Sequence, residues 1–420
     1  MLFPTDKESP NKCSVGIEIH ENKVLVIVNR LPYTFPSEKR HTQNGSGVRP
    51  LAREYSPMKR KVFLKALGTG LLASTSFAPL AHTLLSGEKT MSTLPKATLM
   101  LETRWDKTFP QDPEVVHEKV TYVNRFGITL AADLYRPKAS PATTLPAIAV
   151  SGPFGAVKEQ SSGLYAQTLA RAGYVTLAFD PSYTGESGGL PRDMASPDIN
   201  TEDFLASVDF LTQLKGVDEN RIGILGICGF GGIALAAAAV DPRIKATVAS
   251  TMYDMTRVMQ NGYDDAANTP EARDAIRQHI ASLRTQWAKT GELPVGGRNL
   301  PEQLKGDEPE FIQRYFAYYR TPRGFHPRSV NSNGGWSPIM PTSFINEPLL
   351  AMIGEIKAPV MIVHGEKAHS RYFGETAYRA LKGDNKSLVI VPNADHTDLY
   401  DNLEKIPFDT IRDFFKTNLV

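Results

Sequence analysis

The sequence predicts an α/β fold: a mainly parallel central sheet with helices on both faces, broken by one large helical insertion. Three observations predict it. From about residue 115 onward, short apolar runs alternate with helical patterns, as in sheets whose strands are joined by crossover helices. Between about 255 and 345 that rhythm stops and polar helical stretches take over. A glycine-rich turn holding Cys228 lies between an apolar run and an Ala-rich helical segment.

The elements follow in order. Lys119–Val123 and Ile128–Tyr135 flank Asn124-Arg125-Phe126-Gly127 and read as an antiparallel hairpin. Ala147–Val150 is a buried strand, and Tyr165–Ala172 lies in a helix stopped by Gly173. Val175–Phe179 is a strand, Phe204–Leu214 has helical spacing, and Arg221–Leu225 is a strand leading into the helix Gly231–Val240. Ala246–Ser250, Val360–Val363 and Leu388–Val391 complete the sheet, and a last helix holds Ile411, Phe414 and Phe415. The insertion carries helical stretches at Pro270–Lys289 and Pro309–Tyr319, and its position predicts a lid over the strand ends.

The N-terminal part reads differently. Residues 1–57 form a polar, turn-rich extension whose one apolar run, Val24–Val28, has no evident pairing partner. At Met58 a basic cluster, Lys59-Arg60-Lys61, precedes an apolar, small-residue stretch through Leu71-Leu72-Ala73 to Ala81. That is the pattern of a secretory signal peptide over 58–84, with 85–114 as a linker, and it predicts export, in a bacterium to the periplasm. Arg60-Lys61-Val62-Phe63-Leu64-Lys65 is similar to a twin-arginine signal with Lys61 replacing the second arginine. The alternative is an amphipathic helix packed on the domain of a cytoplasmic protein; a corollary of the signal reading is that Met58 is the true start and residues 1–57 an untranslated upstream read-through. Lys65 and the Thr, Ser and Gly residues interrupt the run a stable membrane span needs.

Composition narrows the function. With 47 basic and 45 acidic residues, no charge excess suits a nucleic acid. Two cysteines, Cys13 and Cys228, are too few for a disulfide scaffold or a cysteine-rich metal site. No metal-ligand cluster, phosphate loop or dinucleotide fingerprint is present, so no cofactor is implied.

Gly226-Ile227-Cys228-Gly229-Phe230-Gly231-Gly232 reads as a nucleophile elbow, where a sharp strand-to-helix turn needs neighbours without bulk. Cysteine replaces the usual serine, and the fifth position holds Phe230, with the small residue one place later. A helix N-terminus behind the turn is expected to favour the thiolate. His396 follows the last strand, where the base of a nucleophile-first triad belongs; His364 and His369 are weaker candidates.

These stretches, with Gly155–Gln160, Asp180–Ser187, Gly365–Phe373 and Ala394–Asp401, make residues 115–420 resemble an α/β-hydrolase of the dienelactone hydrolase-like branch. The region is most similar to bacterial relatives of the fungal polyketide transferases. The resemblance implies the α/β-hydrolase fold and a Cys–His hydrolytic or acyl-transfer centre, without giving the substrate. In hydrolases of this fold an aspartate usually follows the glycine ending the penultimate strand. Here Gly365 is followed by Glu366, leaving Glu366, Asp254 or a bare Cys–His dyad as the alternatives. The oxyanion hole is expected at the N–H groups of Gly229 and Phe154, since Pro153 has none. Lys158 and Glu159 read as a surface ion pair at a helix start, and Asp180 as a tie for the Tyr183–Ser187 loop.

The expected chemistry is attack of Cys228 on an ester, thioester or lactone carbonyl, with a small-molecule acyl substrate. The rivals are acyl transfer at the same residues and an inactive hydrolase-fold binding protein. The aromatic residues Phe311, Tyr315, Phe316, Tyr318, Tyr319 and Trp336 either line the pocket or form the lid's own core.

Overall fold

The computed structural model describes residues 94–139 and 144–420, and apart from them two short strands, Gly16–His20 and Lys23–Ile27. Those two strands pair with each other, so the apolar run at Val24 does find a partner, in the strand just before it. The signal-like segment 58–84 lies outside the described residues. Among the described residues, no helix is long and apolar enough to cross a membrane.

The main unit contains eight strands: β1 Val115–Val123, β2 Thr129–Pro137, β3 Leu145–Ser151, β4 Val175–Phe179, β5 Val217–Ile227, β6 Ile244–Ser250, β7 Val360–Gly365 and β8 Lys386–Val391. The helices between β3 and β6 are α1 Ser161–Arg171, α2 Pro197–Thr212 and α3 Gly229–Val240. The insertion after β6 carries α4 Met255–Asn261, α5 Pro270–Thr290, α6 Glu310–Tyr319, α7 Val330–Asn333 and α8 Pro341–Asn346. Then come α9 Arg371–Ala380, α10 Asp398–Asp401 and α11 Phe408–Asn418.

The sheet order is β8-β7-β6-β5-β3-β4-β2-β1. β8 through β4 are parallel, β2 runs antiparallel to β4, and β1 antiparallel to β2. Residues such as Ile148, Leu177, Ile224, Val248 and Ile362 are fully covered, because helices pack on both faces of the parallel strands. The chain leaves β3 toward β4 on one side and returns to β5 on the other. The carboxyl ends of β3 and β5, paired side by side through Ser151 and Gly226, therefore form the crevice where open α/β sheets place their sites.

Two expectations are corrected. Residues 94–114 are no linker: Phe109 is buried, Glu102 N–H donates to Glu186, and Asp106 and Lys107 enter an ionic cluster inside the protein. Lys158 and Glu159 are not a surface pair either. Lys158 is 0% exposed and its Nζ donates to Glu159 Oε1 (2.6 Å), Asp180 Oδ2 (2.8 Å) and Glu186 Oε2 (2.6 Å). Burial pulls the Lys158 ammonium down, but the carboxylates of Asp180, Glu159, Asp133 and Glu186 outweigh it and hold its pKa well above the usual value. Lys119 joins Glu186, and Arg328 from the insertion joins Glu159 and Asp106. The three carboxylates of Glu159, Asp180 and Glu186 converge closely enough to suggest a metal site. The Lys158 ammonium already stands among them as their cation. Asp180 ties its loop as expected, accepting from Glu186 N–H (2.8 Å) and Lys158 N–H (2.8 Å).

Candidate active site

Cys228 lies at the turn between β5 and α3 with φ 58° and ψ −126°, a backbone conformation that L-residues rarely hold. The turn is fixed from three sides: Cys228 N–H donates to Ser250 O (2.9 Å), and Cys228 O accepts from Gly231 N–H (2.9 Å) and Tyr253 N–H (3.0 Å). Close packing explains the glycines. A Cβ on Gly226 would stand 2.0 Å from Phe230 O, and one on Gly229 would stand 2.7 Å from Phe154 Cβ. The irregular fifth position is also explained. Phe230 points into the core against Phe154, Phe179 and Phe204, while Gly231 is the residue facing a tight neighbour, with its virtual Cβ 2.6 Å from Met252 Cβ.

The Cys228 side chain is 7% exposed. Burial pushes its thiol pKa up, against the Tyr400 hydroxyl, the Phe154 and Gly229 N–H groups and the Tyr315 hydroxyl, which all favour the anion. The helix N-terminus is expected to favour the thiolate, and burial works in the opposite direction. Phe154 and Gly229, expected to supply the oxyanion hole, meet beside Cys228: Gly229 directly follows it, and Phe154 Cβ lies 2.7 Å from where a Cβ on Gly229 would stand. The Phe154 peptide is held by Asn331 of α7, whose Nδ2 donates to Phe154 O (2.8 Å), and Gly155 O accepts from Ser329 Oγ (2.9 Å) and Asn331 N–H (3.0 Å). The insertion therefore supports the loop after β3.

His396 follows β8 and is 2% exposed. Its Nδ1 lies 2.6 Å from Ser370 Oγ and 2.8 Å from Thr251 Oγ1, and its Nε2 lies 2.9 Å from Tyr400 Oη. Among the described residues no carboxylate touches the ring, and both acid candidates are corrected. Glu366 is exposed and accepts from Asn393 N–H (2.8 Å), because it points along the strand end rather than back over the sheet. Asp254 caps α4, accepting from Arg257 N–H (3.0 Å). Ser370 and Thr251 stand where the acid was expected. Burial, then the neighbouring His369 and His364, hold the His396 pKa well below 6.5. Asp398 closes its own loop by accepting from Asp395 N–H (2.9 Å).

The weaker candidates have other surroundings. His369 meets Tyr253 Oη through Nε2, and burial lowers its pKa to about 4. His364 is wholly buried, with a pKa lowered by desolvation to about 3.

A cavity of about 300 Å³ opens over Cys228, lined among others by Phe154, Met255, Tyr263, Ile312 and Trp336. The aromatic residues of the insertion divide between the two expected roles. Tyr315, Tyr319 and Trp336 line the cavity, Tyr318 packs on Tyr400, and Phe311 stacks on His369. Among the described residues no Lys, Arg, Asp, Glu or His lines this cavity. Sequence reading missed Tyr400, Tyr253, Thr251, Ser370 and Asn331. Only Tyr400, four residues after His396, left a local signal, since that spacing lets two side chains meet at a helix start.

Comparison with known proteins fits this geometry. The family model described as X-Pro dipeptidyl-peptidase (S15 family) matches residues 127–398. The uncharacterized protein PA2218 of Pseudomonas aeruginosa is 57% identical over 322 residues, covering 76% of this chain and 86% of that protein. Its crystal structure superposes with a TM-score of 0.75 at 56% identity, covering 77% of this chain and all of that one. The thiohydrolase aneE of Aspergillus aculeatus is 33% identical over 132 residues, 31% of this chain and 40% of its own length. The α/β-hydrolase GrgF of Penicillium shares the fold, with a TM-score of 0.59 at 23% identity over 72% of this chain and 99% of that one. An eight-stranded hydrolase sheet, a strained turn at its crevice and a family match spanning both agree: the chain belongs to the S15 family of α/β-hydrolase-like proteins.

Proposed function

We propose that this protein cleaves a neutral ester, thioester or lactone through a covalent acyl-cysteine intermediate on Cys228. We assign it to the dienelactone hydrolase-like branch related to the fungal polyketide transferases. One observation carries the reading: Cys228 sits in a strained strand-to-helix turn and lines a largely apolar cavity, with Phe154 and Gly229 packed beside it.

In the first half-reaction Cys228 loses its proton toward His396 and its sulfur attacks the carbonyl carbon. The oxyanion rests on Phe154 and Gly229 N–H. Collapse breaks the bond to the leaving alcohol or thiol, which takes up the proton. Water, activated by His396, then adds to the acyl-cysteine and releases the acid. A thiolate expels thiols and activated alcohols more readily than amines, and the partial likeness to aneE supports a thioester as acyl donor. The uncharged lining favours a substrate without a formal charge, because a carboxylate buried there would lack a partner.

Acyl transfer to an alcohol or amine is the second reading, favoured by the small exposure of Cys228, which limits access of water to the intermediate. The Met58 signal-like segment supports export, checked by the mass of the mature protein recovered from a periplasmic fraction.

The test is burst acylation by p-nitrophenyl esters and acyl thioesters. Cys228→Ala is expected to abolish the burst, and mass spectrometry of the wild type to show one acyl adduct on Cys228. Turnover that survives in Cys228→Ala overturns the reading. Product analysis with added acceptors separates hydrolysis from transfer. Binding without turnover on every donor points to a binding protein instead.

A further inference from the structure

We propose that Tyr400 is a catalytic residue, a phenol that carries the proton between Cys228 and His396. The inference rests on the acyl-cysteine reading above and adds a group to it.

The geometry leaves the pair without a direct link. No hydrogen bond joins Cys228 Sγ to His396 among the described residues, and the Nε2 edge that a base would present to the nucleophile is occupied by Tyr400 Oη at 2.9 Å. Tyr400 lines the same cavity as Cys228, so its hydroxyl is the polar group between that cavity and His396 Nε2. The ring is fully buried and wedged edge-on by Tyr318 (5.0 Å) and His396 (5.2 Å), so the hydroxyl has little freedom to turn elsewhere. The other face of His396 is pinned by two hydroxyls, on Ser370 and Thr251, which fix the imidazole with Nε2 toward Tyr400.

The proton count balances. Cys228 Sγ gives its proton to Tyr400 Oη as Tyr400 passes its own to His396 Nε2, leaving a thiolate, a neutral phenol and an imidazolium. The S–C bond then forms, and the carbonyl electron pair moves to oxygen. When the leaving group departs, the proton returns from Nε2 through the same hydroxyl. Without a carboxylate on Nδ1, a standing thiolate–imidazolium pair is poorly supported in this buried site. A relay coupled to attack avoids holding that pair in the resting enzyme.

A longer hydroxyl path also leaves the cavity, through Tyr315 Oη and Tyr253 Oη (2.9 Å apart) to His369. The shorter path is favoured because it has one intermediary and ends on a histidine held on both edges.

The experiment compares the full chain with its Tyr400→Phe, Tyr315→Phe and Cys228→Ala variants in three readouts: the acylation burst, iodoacetamide alkylation of Cys228, and the dependence of acylation rate on the H2O/D2O ratio. Tyr400→Phe is expected to slow both acylation and alkylation by at least ~10²-fold, the scale of lost proton transfer. The wild type is expected to show a curved isotope dependence from two moving protons, and the variant to lose that curvature. If acylation falls while alkylation does not, Tyr400 serves the oxyanion alone, because alkylation forms none, and the relay is overturned. A greater alkylation loss in Tyr315→Phe than in Tyr400→Phe overturns it in favour of the longer path. Should Tyr400→Phe fail to fold, site-specific 3-fluorotyrosine at 400 keeps the hydroxyl but makes it more acidic; an unchanged acylation rate there overturns the relay. A burst that persists in Cys228→Ala instead defeats the underlying acyl-cysteine reading, so the two failures are distinguishable.

Discussion

Replacing Lys158 by Met is the sharpest test of what holds this site together. The side chains are similar in length, so the substitution removes a charge more than a volume. Lys158 Nζ serves three buried carboxylates, but their losses differ. Glu186 keeps Lys119, and Glu159 keeps Arg328 at 2.9 Å. Among the described residues Asp180 has Lys158 as its only ion-pair partner and retains backbone N–H donors alone. The cost therefore concentrates on one uncompensated buried carboxylate, and removing one partner of such a pair costs about 3–5 kcal/mol. For a domain of this size, 3 kcal/mol corresponds to a drop of about 6 °C in Tm.

The deficit carries a pH signature. Burial already raises the Asp180 pKa, and without Lys158 it rises further. A raised folded-state pKa contributes stability that is full below the unfolded value and is lost as pH rises through the folded value. The variant's deficit is thus expected to be largest above neutrality and to shrink by up to ~1.4 kcal/mol per pH unit on acidification, while Asp180 takes up one proton on folding. In the wild type, burial works against the Glu186 carboxylate, but Lys158, the Glu102 N–H and Lys119 together outweigh it and depress the pKa, so that contribution is present above the ordinary carboxylate range and fades as pH falls through the depressed value. Urea unfolding of both proteins at pH 8 and pH 5.5 measures the two gaps. A deficit below ~1 kcal/mol, or one that does not narrow toward pH 5.5, refutes the reasoning.

The remaining predictions concern the site. Glu366→Gln and Asp254→Asn are each expected to keep kcat/KM within about threefold, since Gln still accepts from Asn393 and Asn caps a helix about as well as Asp; loss of a true triad member costs ~10³ or more, and such a loss in either variant would restore that carboxylate to the mechanism. His396 must be neutral to accept a proton, and its pKa is depressed by burial, so activity is lost only as pH falls well below 6.5; an acid limb of kcat/KM centred on 6.5 contradicts the buried geometry. Gly226→Ala is expected to yield little folded protein, because its Cβ would fall 2.0 Å from a backbone oxygen; a soluble, active variant of unchanged Tm would show that the turn has slack.

Much of this protein was legible in its residues. Apolar runs separated by helical spacing determined the parallel sheet, since a strand covered on both faces must be apolar throughout. The glycines around Cys228 marked the strained turn, since only a residue without Cβ fits beside its crossing backbones. The site of His396 followed from strand order, and the oxyanion donors from the missing N–H of Pro153. Other features needed the fold. Charged residues such as Lys158, Glu159 and Lys119 look alike whether solvated or buried, because most partners in their cluster, such as Asp180, Glu186 and Arg328, come from distant parts of the chain. The acid partner of His396 was sought among carboxylates near strand ends, but side-chain direction decided the matter: Glu366 turns outward, Asp254 caps a helix, and two hydroxyls reach Nδ1. The protonation state of Cys228 was likewise undetermined by its helix, because desolvation depends on what covers the thiol. Residue types and spacing determined which groups are present at the crevice. Only the tertiary structure decided which of them touch, because burial and direction are properties of the packed chain.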